Sequence, residues 1–112
     1  MSLGQTVMSH LLNCPEEEFG KLTVKALAAS FGVSRGHLSR VFKSEIGFPL
    51  GTVLCRERLE RAKELLRRQP SLSLTEVAER VGFAAPGYFC RLFKDYFRIP
   101  PGELRRRPAP PA

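Results

Sequence analysis

Two short frames of side chains carry the chemistry of this chain: Leu38-Ser39-Arg40-Val41-Phe42-Lys43 and, 51 residues on, Phe89-Cys90-Arg91-Leu92-Phe93-Lys94. In each frame two apolar residues stand four apart, and an arginine lies midway between them. On a helix that spacing buries the apolar pair and turns the arginine outward. A guanidinium and an ammonium repeated in register suit an anionic partner that is itself periodic. Other chemistry is thin. His10 and Cys14 stand four apart without further ligands, and such a pair does not make a metal site. No nucleophile, base and orienter are suggested and no glycine-rich phosphate loop is present, so neither catalysis nor a cofactor is expected.

The frames belong to a longer repeat. Residues 22–43 read LTVKALAASFGVSRGHLSRVFK and residues 72–94 read LSLTEVAERVGFAAPGYFCRLFK. An offset of 50 aligns Ala28 with Ala78 and Gly32 with Gly82, while an offset of 51 aligns Arg40 with Arg91 and Lys43 with Lys94. The second copy thus carries one extra residue after its glycine. Thr23 and Ser73 suit the N-caps of short first helices, and Ser34 suits the cap of a second helix. Gly32 and Gly82 supply the backbone freedom of a tight turn. Leu38, Val41 and Phe42, with Phe89, Leu92 and Phe93, form the inward stripes. Each copy therefore reads as short helix, glycine turn, second helix.

The flanking segments read as helices too. Leu3, Val7, Leu11 and Leu12 fall at helical spacing before Pro15. Residues 50–68 form a long connector with Leu54, Leu59, Ala62, Leu65 and Leu66 inward, ended by Gln69 and Pro70. A short turn follows Pro100 and Pro101. No period-two alternation occurs, so the expected fold is all-α, with about seven helices. Subdomain one is placed at about residues 3–49 and subdomain two at about 70–107 of a domain spanning 1–108, with a disordered tail at 108–112.

Composition narrows the partners. The chain has 112 residues, 18 Lys and Arg against 11 Asp and Glu, and a net charge of +7. Residues 1–20 carry −3, residues 21–50 carry +4, residues 51–70 carry +3, and the rest +3. The basic stretch opens where the first copy opens, as phosphate binding requires. Charge alone fits a solvated basic helix equally well, and the repeat makes it specific. Three cysteines in no paired spacing suit a reducing cytoplasm, and no run is long enough to span a membrane.

From Leu3 to Arg107 the sequence resembles the DNA-binding domain of AraC/XylS-type bacterial transcription regulators. The segment EVAERVGFAAPGYFCRLFKDYFRIPPGELRR, preceded by RERLERAKELL, carries the likeness in Ala78, Gly82-Phe83, Phe89, Arg91 and Phe93-Lys94. The resemblance implies two helix-turn-helix subdomains that bind double-stranded DNA from one chain. Their recognition helices, about residues 34–45 and 85–96, would occupy successive major grooves. A connector of about 18 residues is ~27 Å long, near the ~34 Å groove repeat once the subdomains' half-widths are added. The resemblance also implies that Gly36, Ser39 and Arg40, with Arg35 and His37 beside them, face bases in the first subdomain. In the second those positions fall on Pro86, Gly87, Tyr88, Cys90 and Arg91. Arg40 and Arg91 are the expected guanine readers, and Thr23, Lys43, Ser73 and Lys94 the expected phosphate contacts.

The second copy departs from the family pattern. Gly87 stands where a serine is usual, and Arg98 and Pro100 where a glycine and a Ser or Thr are usual. Ala84 and Ala85 offer no capping oxygen. The first copy is therefore expected to carry most hydrogen-bonded readout and the second mainly to anchor. An effector domain does not fit in this length and is expected outside the chain. The competing reading is a helical interaction module that docks on RNA polymerase or another regulator.

Overall fold

A computed structural model describes residues 1–106, and eight helices account for the regular structure among them. The chain forms two compact units, residues 1–57 and 58–112. Arg107 and the expected tail at 108–112 lie outside the described residues.

The first unit holds α1 (Leu3–Asn13), α2 (Glu16–Phe19), α3 (Val24–Ser30), α4 (Arg35–Ile46) and the beginning of α5 (Leu50–Arg68). Ser2 opens α1 through a capping box with Gln5, which satisfies two otherwise orphaned amides. α1 packs on α4, and their approach is close at one end. The Gly4 N–H donates to Glu45 Oε1 at 2.7 Å, and a Cβ on Gly4 would lie 2.9 Å from that oxygen. Val7, Leu11, Phe19, Leu27, Leu38, Phe42, Leu50 and Leu54 make one core. The helix α2 goes beyond the sequence expectation, which ended the first helix at Pro15 and placed nothing after it. Pro15 serves as its N-cap residue and Glu16, Glu17 and Glu18 fill its first turn, where carboxylates meet the positive end of the helix dipole. Buried Phe19 anchors it.

The second unit holds the rest of α5, then α6 (Leu74–Val81), α7 (Pro86–Phe97) and α8 (Pro101–Arg106). Its α5 segment buries Leu59, Ala62, Leu65 and Leu66, as the spacing foretold. Along α7 and the turn before it an aromatic ladder stands where α4 buries Leu38 and Phe42. Phe83, Phe89, Phe93 and Phe97 follow one another at 5.4, 5.7 and 4.5 Å between ring centroids. Two α5 cations cover its ends, Arg58 over Phe83 at 5.9 Å and Lys63 over Phe97 at 5.1 Å. Burying each such ring is worth ~1.5–3 kcal/mol.

The repeat is kept hydrogen bond for hydrogen bond. The Val33 and Phe83 amides donate to the Ala28 and Ala78 carbonyls at 3.0 and 2.8 Å, and Gly32 and Gly82 donate to Ala29 and Glu79 at 3.2 and 3.1 Å. This paired closure needs a left-handed residue at the glycine, and the two φ angles are 67° and 101°. Ala28 and Ala78 are both buried, so each first helix presents no bulk where the turn folds back. The match runs further than the letters suggested. Gly47 and Arg98 donate to the Lys43 and Lys94 carbonyls at 2.9 and 2.8 Å, and Val53 and Leu104 donate to those of Pro49 and Pro100 at 3.1 and 3.0 Å. The start of α5 and the whole of α8 are thus equivalent pieces of the two copies.

Candidate nucleic-acid interface

In α4 the first turn is fixed by Ser34, whose Oγ accepts the His37 N–H at 3.1 Å. Leu38 and Phe42 are buried beneath it. Arg35, Gly36, His37, Ser39 and Arg40 are all exposed, so the expected reading residues share the N-terminal outer surface of one helix. Arg40 folds back along that surface. A Cβ added to Gly36 would stand 3.3 Å from Arg40 Nη1, so the glycine leaves the guanidinium its course along the helix.

The matched helix α7 is built differently. Ala85 occupies the N-cap with extended backbone and no side-chain bond, and Pro86 takes the first helical position. Proline costs nothing there, because that amide has no helical partner. Pro86, Gly87, Tyr88 and Arg91 are exposed, whereas Cys90 is half-buried. The Arg91 guanidinium lies over the Tyr88 ring, 5.6 Å from its centroid, and Tyr88 stands edge-on to Phe83 at 6.4 Å. Nothing comes within 4 Å of a Cβ built on Gly87. Burial raises the pKa of the Cys90 thiol from its ordinary 9.0, so it stays neutral at physiological pH.

Four further residues were expected to meet phosphates. Thr23 Oγ1 accepts the Ala26 N–H at 2.9 Å and Ser73 Oγ accepts the Glu76 N–H at 3.0 Å. Each hydroxyl oxygen is engaged as a cap, which leaves its hydrogen and the other first-turn amides for an anion. Lys43 and Lys94 are exposed. Away from these surfaces His10 packs edge-on against Phe31 at 5.7 Å, and Cys14 is buried in the first unit's core.

A helix-turn-helix domain family matches residues 27–107, which takes in both turns and both reading helices. The chain belongs to the AraC-type helix-turn-helix family. It is 40% identical over 82 residues to the HTH-type transcriptional regulator GlxA of Rhizobium meliloti, covering 73% of this chain and 25% of that one. Among solved structures it is similar to the C-terminal domain of the two-component response regulator yesN from Fusobacterium nucleatum (TM-score 0.75, 31% identity), covering 91% of this chain and 96% of that one. It is also similar to an AraC-type transcriptional regulator from Chromobacterium violaceum (TM-score 0.72, 28% identity), with 94% and 96% covered. The chain spans between a quarter and a third of the length of the first curated relatives it matches.

Within this AraC-type domain the two units carry charge unequally. Residues 1–57 hold six Lys and Arg against five Asp and Glu, whereas residues 58–112 hold twelve against six. Two cations of the second unit went unassigned in the sequence. Arg98 takes the left-handed position that Gly47 fills in the first unit, with φ 63°. Arg106 borders the same cleft as Arg91 and Lys94. In the sequence Arg106 gave only charge as a signal, because Arg91 and Lys94, which share its cleft, lie more than ten residues away. No helix among the described residues is long and apolar enough to cross a membrane.

Proposed function

We propose that this domain binds double-stranded DNA sequence-specifically for a transcription regulator, with α4 and α7 each laid in a major groove. The observation that carries the reading is the exposed arginine held at the same place in both copies, Arg40 and Arg91, above the same buried apolar pair. In this reading Arg40 and Arg91 bond guanine O6 and N7, which is worth ~1–3 kcal/mol of discrimination each. Arg35, Gly36, His37 and Ser39 line the first groove, and Pro86, Gly87, Tyr88 and Cys90 the second. Thr23, Lys43, Ser73 and Lys94 hold the strands' phosphates. The second copy offers shape and methyl contacts more than donors, since Pro86 and Gly87 carry no hydrogen-bonding side chain.

The domain acts in the cytoplasm, requires no cofactor and has no catalytic role. Docking on RNA polymerase or another regulator is the less favoured reading, and the exposed arginines at groove-reading positions weigh against it. The test is selection of bound sequences from random duplexes, followed by titration against salt. A defined consensus and a steep fall of log K with log salt are expected. Absence of duplex binding at low salt would favour the interaction module.

A further inference from the structure

In the second unit α6, α7 and α8 enclose a cleft of about 500 Å³. Its walls are largely apolar, from Leu74, Pro100 and Pro101, and three cations reach it, Arg91, Lys94 and Arg106. Glu103 is the acidic residue on its lining, so the formal balance at the cleft is two positive charges. Cys90 completes one side. The helix α8 packs on α7 and is tied down by one side-chain bond. Arg105 Nη1 donates to the Leu72 carbonyl at 2.6 Å, which ties α8 to the segment before α6. Arg106 Nε donates to the Gly102 carbonyl at 3.2 Å. That bond orients the guanidinium and leaves its two terminal amino groups for another acceptor.

We infer that this cleft is a backbone clamp for duplex DNA, in which Arg106 joins Lys94 on one strand's phosphates, beside the base-reading Arg91, while the deoxyribose packs on Leu74 and Pro100. The proposal rests on the DNA-binding reading above and adds α8 as a contact element. A largely apolar lining with the exposed cations Arg91, Lys94 and Arg106 along it matches a strand of less polar sugars and anionic phosphates. A free phosphate would use only the cations. The first unit has no cation at the position matching Arg106. At the 51-residue offset, Arg106 corresponds to Cys55 and Arg105 to the buried Leu54. The extra cation thus sits in the unit whose reading helix is poor in donors, where backbone anchoring contributes most.

The test uses the whole chain and two duplexes, one of the selected sequence and one unrelated, titrated from low to moderate salt. Arg106→Gln should weaken both duplexes by a similar factor and make the slope of log K against log salt shallower by ~0.9, the value for one phosphate contact. Arg106→Lys should retain most of the slope. Glu103→Gln removes the opposing carboxylate and should tighten both duplexes several-fold, an effect that loss of folding cannot mimic. Unchanged slope in Arg106→Gln with the wild-type melting temperature, or no gain from Glu103→Gln, would overturn the clamp while leaving groove reading intact. Failure of the unaltered chain to bind either duplex would overturn the DNA-binding reading, and the clamp with it.

Discussion

Arg91 rests on the face of Tyr88 with its guanidinium carbon 5.6 Å from the ring centroid, while its counterpart Arg40 runs along Gly36. The two arginines hold one place in the repeat but are supported by different neighbours. Tyr88 is steadied in turn by Phe83, so Arg91 is oriented before any partner arrives. An exposed cation–π contact is worth ~0.5–1 kcal/mol, so Tyr88→Ala should weaken binding to the selected duplex about 2- to 5-fold. Tyr88→Phe keeps the ring and should stay near wild type in the same titration. Equal losses in both variants would assign the effect to the phenol hydroxyl instead.

Arg40 and Lys43 should separate readout from anchoring. Arg40→Ala should cost ~1–3 kcal/mol of discrimination at one base pair, measured as the affinity ratio between matched and substituted duplexes. Lys43→Ala should lower affinity for all sequences alike and reduce the salt slope by ~0.9. The same measurement probes the inequality of the copies: substitutions in the second half-site should hurt less than those in the first.

The caps of the two reading helices differ by one oxygen. Ser34 bonds the His37 amide, whereas Ala85 makes no side-chain bond. Ser34→Ala should destabilise the chain by ~1 kcal/mol, and Ala85→Ser should stabilise it by up to about the same amount, since Ala85 already has the extended backbone a cap needs. Chemical denaturation of each variant checks both signs.

Gly47 and Arg98 close the same turn with positive φ, 95° and 63°. A side chain there brings Cβ against the following carbonyl. Arg98→Gly should therefore raise stability by ~0.5–1 kcal/mol, and Gly47→Ala should lower it by ~1 kcal/mol, although nothing lies within 4 Å of the added methyl. A shift of opposite sign in either melting temperature would show that the backbone term does not govern this position.

The Gly4 amide has the Glu45 carboxylate as its acceptor. Glu45→Ala removes that acceptor from a buried glycine and should cost ~1–3 kcal/mol. Gly4→Ala, which would bring a methyl within 2.9 Å of the carboxylate oxygen, should destabilise the same unit, as calorimetry can show.

The features legible in the sequence are those whose causes are local. Thr23, Ser34 and Ser73 cap helices three residues ahead, Gly32 and Gly82 supply left-handed turns, and Leu38 with Phe42 or Phe89 with Phe93 mark the buried stripe at i and i+4. Such interactions are fixed by residue type and short spacing, so the doubled motif and its second helices followed from the letters. The helix α2 escaped because four residues are too few to show a period, and its anchor is the burial of Phe19. Only tertiary structure decided the rest: that Glu45 meets Gly4 across 41 residues, that Arg105 reaches Leu72 across 33, and that Arg106 shares a cleft with Arg91 and Lys94. Those partners are chosen by how helices pack, and packing depends on side-chain volume and direction summed over a whole unit. The sequence thus determined two copies of one helix-turn-helix element; the fold decided how differently each copy holds its arginine.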